Sequence, residues 1–297
     1  MRQMNTSLKQ LKKRENTLMY VFLMPAVIFV LVMTIYPLFR TFQHSMEYYR
    51  LTEQANRSFS GLGNYIEMFT NERTIKALGT SLKFTVCSVF LEMVIGIIMA
   101  LTVNAISKGR AFYRILLSIP MLLSTVVVGI MWKFLLNTQG PINYLLQMVG
   151  LSEINWFETT SMAFLAIVIV GSWQWTSYVF MLVLAGLEPL PEERLSAAMI
   201  DGANALQIFR YITWPFIIPV VKVVALFRVI FSFRGFDLVY ALTGGGPAFA
   251  TETLSLSIWR STFQNFDVGL GSAQSVAMFV ILLCLSIPLV HSMVREI

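Results

Sequence analysis

The chain has almost none of the residues from which metal or redox centres are built. Two cysteines and two histidines are spread over 297 residues. Cys87 and Cys284 both fall in long apolar runs, where a thiol is a small hydrophobe, so no disulfide framework is indicated. His44 and His291 stand alone at opposite helix ends, and no metal site is expected. GxxxxGK[ST] is missing, and with it the loop whose amides and lysine hold nucleotide phosphates. The nearest mimic, LTGGGPAFA at 242–250, has no lysine and reads as a Gly/Pro-rich turn. HExxH, paired cysteines and a credible Ser/His/Asp set are missing as well. Any energy for work must come from another subunit or from a gradient.

Charge is also scarce. Charged residues make up 13% of the chain and hydrophobic ones 56%, with a mean hydropathy of +0.68. Soluble domains carry about 25% charged residues, so this much apolar surface needs lipid. Six runs, about 18–39, 84–106, 115–136, 161–187, 211–233 and 272–291, reach the length of roughly 17–25 apolar residues that spans a bilayer. They do not alternate with period two, so helices rather than a closed barrel satisfy the backbone. The first run, LMYVFLMPAVIFVLVMTIYPLF, has no charge and no small-residue cleavage site behind it, and reads as a retained helix. The expected fold is all-α: six transmembrane helices, a tail over 1–16, and one transmembrane domain over 17–297.

Orientation follows from the Lys/Arg bias of short flanks. The tail holds Arg2, Lys9, Lys12, Lys13 and Arg14, and the connection after the second run holds Lys108, Arg110 and Arg114. The 137–160 connection has acids only, Glu153 and Glu158. Both termini are therefore expected in the cytoplasm, with 40–80, 137–160 and 234–271 outside. The net charge of +6 is mostly this topology signal, so no nucleic-acid partner is implied.

The cytoplasmic connection at about 188–213 is unusual because it is long, polar and broken by a glycine. Pro191 fixes a helix start, and Glu192 and Glu193 favour the positive end of that helix. Leu195, Ala198 and Met199 make one apolar stripe, while Ser196 and Ala197 keep the adjoining surface low. Gly202 is suited to end the helix in a left-handed conformation. A second short helix, roughly 204–212, then leads through Trp214-Pro215 into the fifth run. A small-residue face of this kind suits a partner's groove. A helix lying on lipid prefers Lys and Arg on its polar face, and this one has two acids and one Arg.

These residues resemble the integral-membrane subunits of binding-protein-dependent ABC importers. Those carry Glu-Ala-Ala, three residues, Gly, nine residues, then Ile-x-Leu-Pro. Here Ser196-Ala197-Ala198, Gly202 and Ile212-Thr213-Trp214-Pro215 keep both spacings, with Ser196 in place of the glutamate and Trp214 in place of the leucine. FSGLGNYIEMF (59–69), IPMLLSTVVVGIMWKFLLNTQGPINYLL (119–146) and FDLVYALTGGGPAFATETL (236–254) resemble the carbohydrate-uptake branch, which includes maltose and glycerol-phosphate importers. The resemblance implies a permease in the bacterial cytoplasmic membrane that imports an oligosaccharide. It also implies a second, related permease, two cytosolic ATPases that hold the ATP and magnesium, and an extracellular solute-binding protein. No cofactor is implied on this chain. Coupling to the ATPase is implied at Glu193, Ser196, Ala197, Ala198, Asp201 and Gly202.

Four charges interrupt the apolar runs: Glu92, Lys133, Lys222 and Arg228. Such residues usually face the bundle interior. Lys133 and Lys222 sit near helix ends and can snorkel, while Glu92 fits either an interior hydrogen bond or a transport role. Arg228, Phe231, Ser232 and Gly235 share one face of the fifth helix, and Gly171, Gln174, Trp175 and Tyr178 form a similar patch on the fourth. Aromatic faces suit sugar C–H groups, and amides and hydroxyls suit sugar OH groups. Resemblance to the maltose-type permease implies sugar contacts at Gln174, Trp175, Tyr178, Arg228, Phe231, Ser232 and Gly235. A neutral sugar predicts a protein acceptor for Arg228, such as Glu92, whereas an anionic one predicts that the Arg meets the substrate. The aromatic setting favours the neutral case. A secondary transporter is the alternative and would show paired discontinuous helices or an inverted repeat. A membrane-embedded enzyme would need clustered His or acids at one depth.

Overall fold

The computed structural model describes residues 2–106 and 108–294, with side chains described between 19 and 293. In chain order the elements are α1 (Arg2–Ser45), β1 (Glu47–Tyr48), β2 (Ser58–Phe59), α2 (Gly63–Thr70) and α3 (Glu72–Ala105). Next come α4 (Arg110–Leu122), α5 (Thr125–Leu135), α6 (Pro141–Met148), α7 (Thr160–Leu187) and α8 (Glu192–Ile200). Last are α9 (Ala205–Ile208), α10 (Trp214–Phe233), α11 (Asp237–Leu242), α12 (Leu254–Trp259) and α13 (Val268–Val294). β1 and β2 form a short antiparallel pair with Glu47 opposite Phe59.

Among the described residues, five helices are long and apolar enough to cross a membrane: Met19–Ser45, Glu72–Ala105, Thr160–Leu187, Ala205–Phe233 and Val268–Met293. The sixth run, 115–136, is broken. α4 and α5 meet at 93° around Leu123 and Ser124, both of non-helical backbone. Counted together they complete six spans. The backbone of the expected tail, 2–16, runs straight into the first span as the start of α1. Its basic side chains, used above for orientation, lie outside the described residues.

The span ending in α10 begins two turns early. Asn204 and Gln207 form a reciprocal cap at the start of α9, and a wide π turn, Phe209–Thr213, joins it to α10. Pro215 has no N–H, and its ring crowds the carbonyl four residues back, at Tyr211, so the turn opens.

α7 is the central post, with Ile167, Val170, Val179, Phe180 and Val183 fully buried. A Cβ on Gly96 of α3 would lie 2.7 Å from Val179, so glycine there is what lets α3 and α7 touch backbone to side chain. Two apolar cores form around the post. One gathers Phe84, Val128, Ile167, Leu238, Leu242 and Leu256, and the other gathers Ala100, Phe180, Leu184, Ile217 and Val224. α1 lies outside this arrangement, packs chiefly on α13, and leaves Phe22 and Phe39 mostly exposed.

The end of the bundle expected outside is tied by ion pairs. Arg50 Nε donates to Asp267 at 2.8 Å. Glu252, buried, accepts from Arg73 Nη2 and Arg260 Nη1, both at 2.9 Å, which anchors the Gly-rich turn after α11. Glu47 accepts from Arg57 at 2.6 Å and pairs with His44 at 2.9 Å. Burial raises the Glu47 pKa, but the hydrogen bonds with His44 and Arg57 outweigh it, and the net shift is downward.

Candidate functional site

Between the two cores, at the level of Gly171 and Trp175 on α7, the packing opens into a cavity of about 280 Å³. Glu92 from α3 and Arg228 from α10 meet on its wall. Arg228 Nε donates to Glu92 Oε2 at 2.6 Å and Nη2 donates to Oε1 at 2.9 Å, a two-point clamp. Both side chains are buried, at 2% and 0% exposure. The guanidinium also lies over the Trp175 ring, 4.6 Å from its centroid. Arg228 Nη1 and Ser232 Oγ are buried with no hydrogen-bond partner among the described residues. Phe84, Phe231, Gly235, Phe236 and Leu238 belong to the apolar part of the wall, and the exposed Arg234 and Asp237 also line it.

Five of the seven positions expected to contact sugar line this cavity: Trp175, Arg228, Phe231, Ser232 and Gly235. Gln174 and Tyr178 do not. Gln174 faces the α4–α5 break, where its Nε2 donates to the freed Leu123 carbonyl at 2.9 Å and to Thr125 Oγ1 at 3.4 Å. A backbone broken inside the bundle needs such a donor, and Gln174 supplies it. Tyr178 lies one turn beyond Trp175, edge-on to it with centroids 6.2 Å apart, and packs into the second core. Residue spacing placed all four α7 positions on one patch, but three different neighbours divide that patch. Lys133 is exposed, and Lys222 Nζ donates to the Ser292 carbonyl at 3.3 Å. Sequence reasoning missed Asp237, Arg234 and Thr125 on the wall. Asp237 lies four residues beyond the fifth run, at the start of α11.

The second feature is α8, which has no buried residue. Its end is built as expected from the glycine. Ala203 N donates to Ala198 O at 2.9 Å, Gly202 N donates to Met199 O at 3.1 Å, and Gly202 has φ +80°. That pair of bonds around a left-handed residue closes the helix and turns the chain. Glu193, Ser196, Ala197, Asp201 and Gly202 are exposed, and Ala198 is half-buried. Met199, Ile200, Leu206 and Tyr211 are exposed at 59%, 86%, 73% and 71%, an apolar rim on a polar connection. An open groove of about 580 Å³, lined by Ala197, Ala198, Asp201, Tyr211 and Ile212 among others, separates α8 from the start of the fifth span.

Comparison with known proteins adds four findings. Residues 92–295 match the family model described as the binding-protein-dependent transport system inner membrane component. The chain is 36% identical over 285 residues to the trehalose/maltose transport system permease protein MalF of Thermococcus litoralis, covering 95% of this chain and 96% of that one. It is 31% identical over 233 residues to the sn-glycerol-3-phosphate transport system permease protein UgpA of Agrobacterium fabrum, covering 77% and 78%. Among solved structures, a bacterial ABC transporter involved in the import of the acidic polysaccharide alginate superposes with a TM-score of 0.83 at 22% identity, over 95% of this chain and 96% of that one. This last likeness speaks for the fold.

Proposed function

The chain belongs to the family of binding-protein-dependent transport system inner membrane components, and from that premise we propose that it is the permease through which a carbohydrate is imported. It is a multi-pass membrane subunit of a transporter. The observation that supports a sugar best is the pair of unpartnered buried groups, Arg228 Nη1 and Ser232 Oγ, beside the rings of Trp175 and Phe231. Hydroxyl-rich ligands satisfy such groups, and the rings cover their C–H faces. The names of the relatives, a trehalose/maltose permease among them, support the same class.

The proposal includes a second, homologous permease, an external solute-binding protein, and cytosolic ATPases that hold ATP and magnesium. α8 is the surface offered to an ATPase. Its exposed Met199 and Ile200 and its low Ser196-Ala197 face support docking into a groove. The alternative, a gradient-driven transporter, calls for paired discontinuous helices, and among the described residues one span is broken, at Leu123 and Ser124. Vesicles holding the chain with its copurifying subunits, given the binding protein and labelled maltose or trehalose, separate the two. ATP-dependent uptake that survives an ionophore is expected. Uptake that follows an ion gradient without ATP would overturn the assignment.

A further inference from the structure

The walls of the cavity hold two cations, Arg228 and Arg234, and two anions, Glu92 and Asp237. Arg234 and Asp237 are exposed and of opposite sign, so together they add no net charge to the wall. The buried part of the wall is therefore decided by Arg228 and Glu92 alone. Their contact is bidentate, with distances of 2.6 and 2.9 Å. Nε and Nη2 are committed to the carboxylate, and Nη1 is buried without a hydrogen-bond partner among the described residues. A hydroxyl or ring oxygen accepts from Nη1 without conflict. A carboxylate or phosphate at the same place competes with Glu92 for one cation and meets the Glu92 charge through a low-dielectric wall.

We propose that Glu92 sets the charge specificity of this cavity: by neutralising Arg228 it makes the site accept uncharged saccharides and refuse uronates and sugar phosphates. This rests on the reading of the cavity as a saccharide site. Glu92 is a positioning and neutralising residue, since its two carboxylate oxygens are both taken by Arg228. Removing its charge leaves the guanidinium as a buried cation with free donors. Such a fork is what bidentate anion recognition requires.

The test uses the transporter assembled with its copurifying subunits in lipid nanodiscs, with the melting midpoint followed during titration. The probes are maltotriose, trigalacturonate and, at fixed ionic strength, sodium sulfate. For the wild type, trigalacturonate and sulfate are expected to leave the midpoint unmoved, while maltotriose raises it. In Glu92→Gln, trigalacturonate and sulfate are expected to raise the midpoint at concentrations at least about tenfold below the highest that leaves the wild type unmoved, a factor that corresponds to about 1.4 kcal/mol. The double variant Glu92→Gln/Arg228→Gln should lose that response. Glu92→Asp, which shortens the carboxylate, gives the same direction with smaller amplitude and serves if Glu92→Gln does not assemble. A wild type stabilised by trigalacturonate as strongly as by maltotriose overturns the proposal. An assembled Glu92 variant with no gain for either anion also overturns it. If sulfate acts on Glu92→Gln while neither saccharide acts on any form, the charge role stands and the saccharide reading falls.

Discussion

Replacing Arg228 by Met tests whether the buried pair holds three helices in register. Arg228 and Glu92 are 136 residues apart in sequence and join α10 to α3 beside Trp175 of α7. Arg228→Met keeps the volume of the stem and removes the cation. Glu92 is then a carboxylate with 0% exposure and no partner, a loss of about 3–5 kcal/mol. Arg228→Lys keeps the charge but offers a single ammonium where two forked donors stood, so one charge-assisted hydrogen bond goes, about 1.5–3 kcal/mol. Removing both charges, as in Glu92→Gln/Arg228→Met, restores much of the stability, because neither desolvation nor an orphan charge remains. The order expected is therefore wild type, then the double variant, then Arg228→Lys, with Arg228→Met least stable. Melting midpoints of the purified transporter give the order, and the double-mutant cycle isolates the coupling. With a shift of about 2–4 °C per kcal/mol for chains of this size, Arg228→Met falls by roughly 10 °C. A double variant no more stable than Arg228→Met would refute the reasoning, as would full stability and full uptake in Arg228→Lys.

Three further outcomes are expected. Gly202→Val should uncouple ATP hydrolysis from uptake or release the ATPase. Nothing lies within 4 Å of the new Cβ, so the cost comes from φ +80°, about 1–2 kcal/mol, and Gly202→Asn should retain most function. Copurification of the ATPase with each variant reads this directly. Gly96→Val should lower the melting midpoint by an amount equivalent to about 1–3 kcal/mol, because its Cβ meets Val179 at 2.7 Å and α3 must move off α7; an unchanged midpoint would contradict the close packing. Glu47 has a lowered pKa, so its contribution is fully present above the ordinary carboxylate range and is lost as pH falls through the lowered value. In Glu47→Gln the melting midpoint should therefore depend less on pH below about 4.5 than in the wild type, and parallel acid profiles would dismiss that role.

The class of protein and its long apolar helices were legible from residues alone. Long apolar runs admit few solutions in lipid, because every backbone group must bond within its own segment. The α8 end was equally legible: a glycine after Ala198-Met199-Ile200 determines a local conformation, and the two bonds that close it are local too. The pairing of Glu92 with Arg228 was only one of several options, since nothing within either helix selects a partner 136 residues away. Tertiary structure decided it, along with the division of the α7 patch. Trp175 faces the cavity, whereas Gln174, the next residue back, turns to the broken backbone at Leu123. Spacing tells which side chains share a helix face. Which neighbour covers each part of that face depends on how closely other helices approach, and here the contact between Gly96 and Val179 brings α3, and with it Glu92, against the post. The break at Leu123 and Ser124 has the same origin. Its residues form one apolar run by composition, and only a partner such as Gln174, buried in the bundle, makes a bent backbone tolerable at that depth.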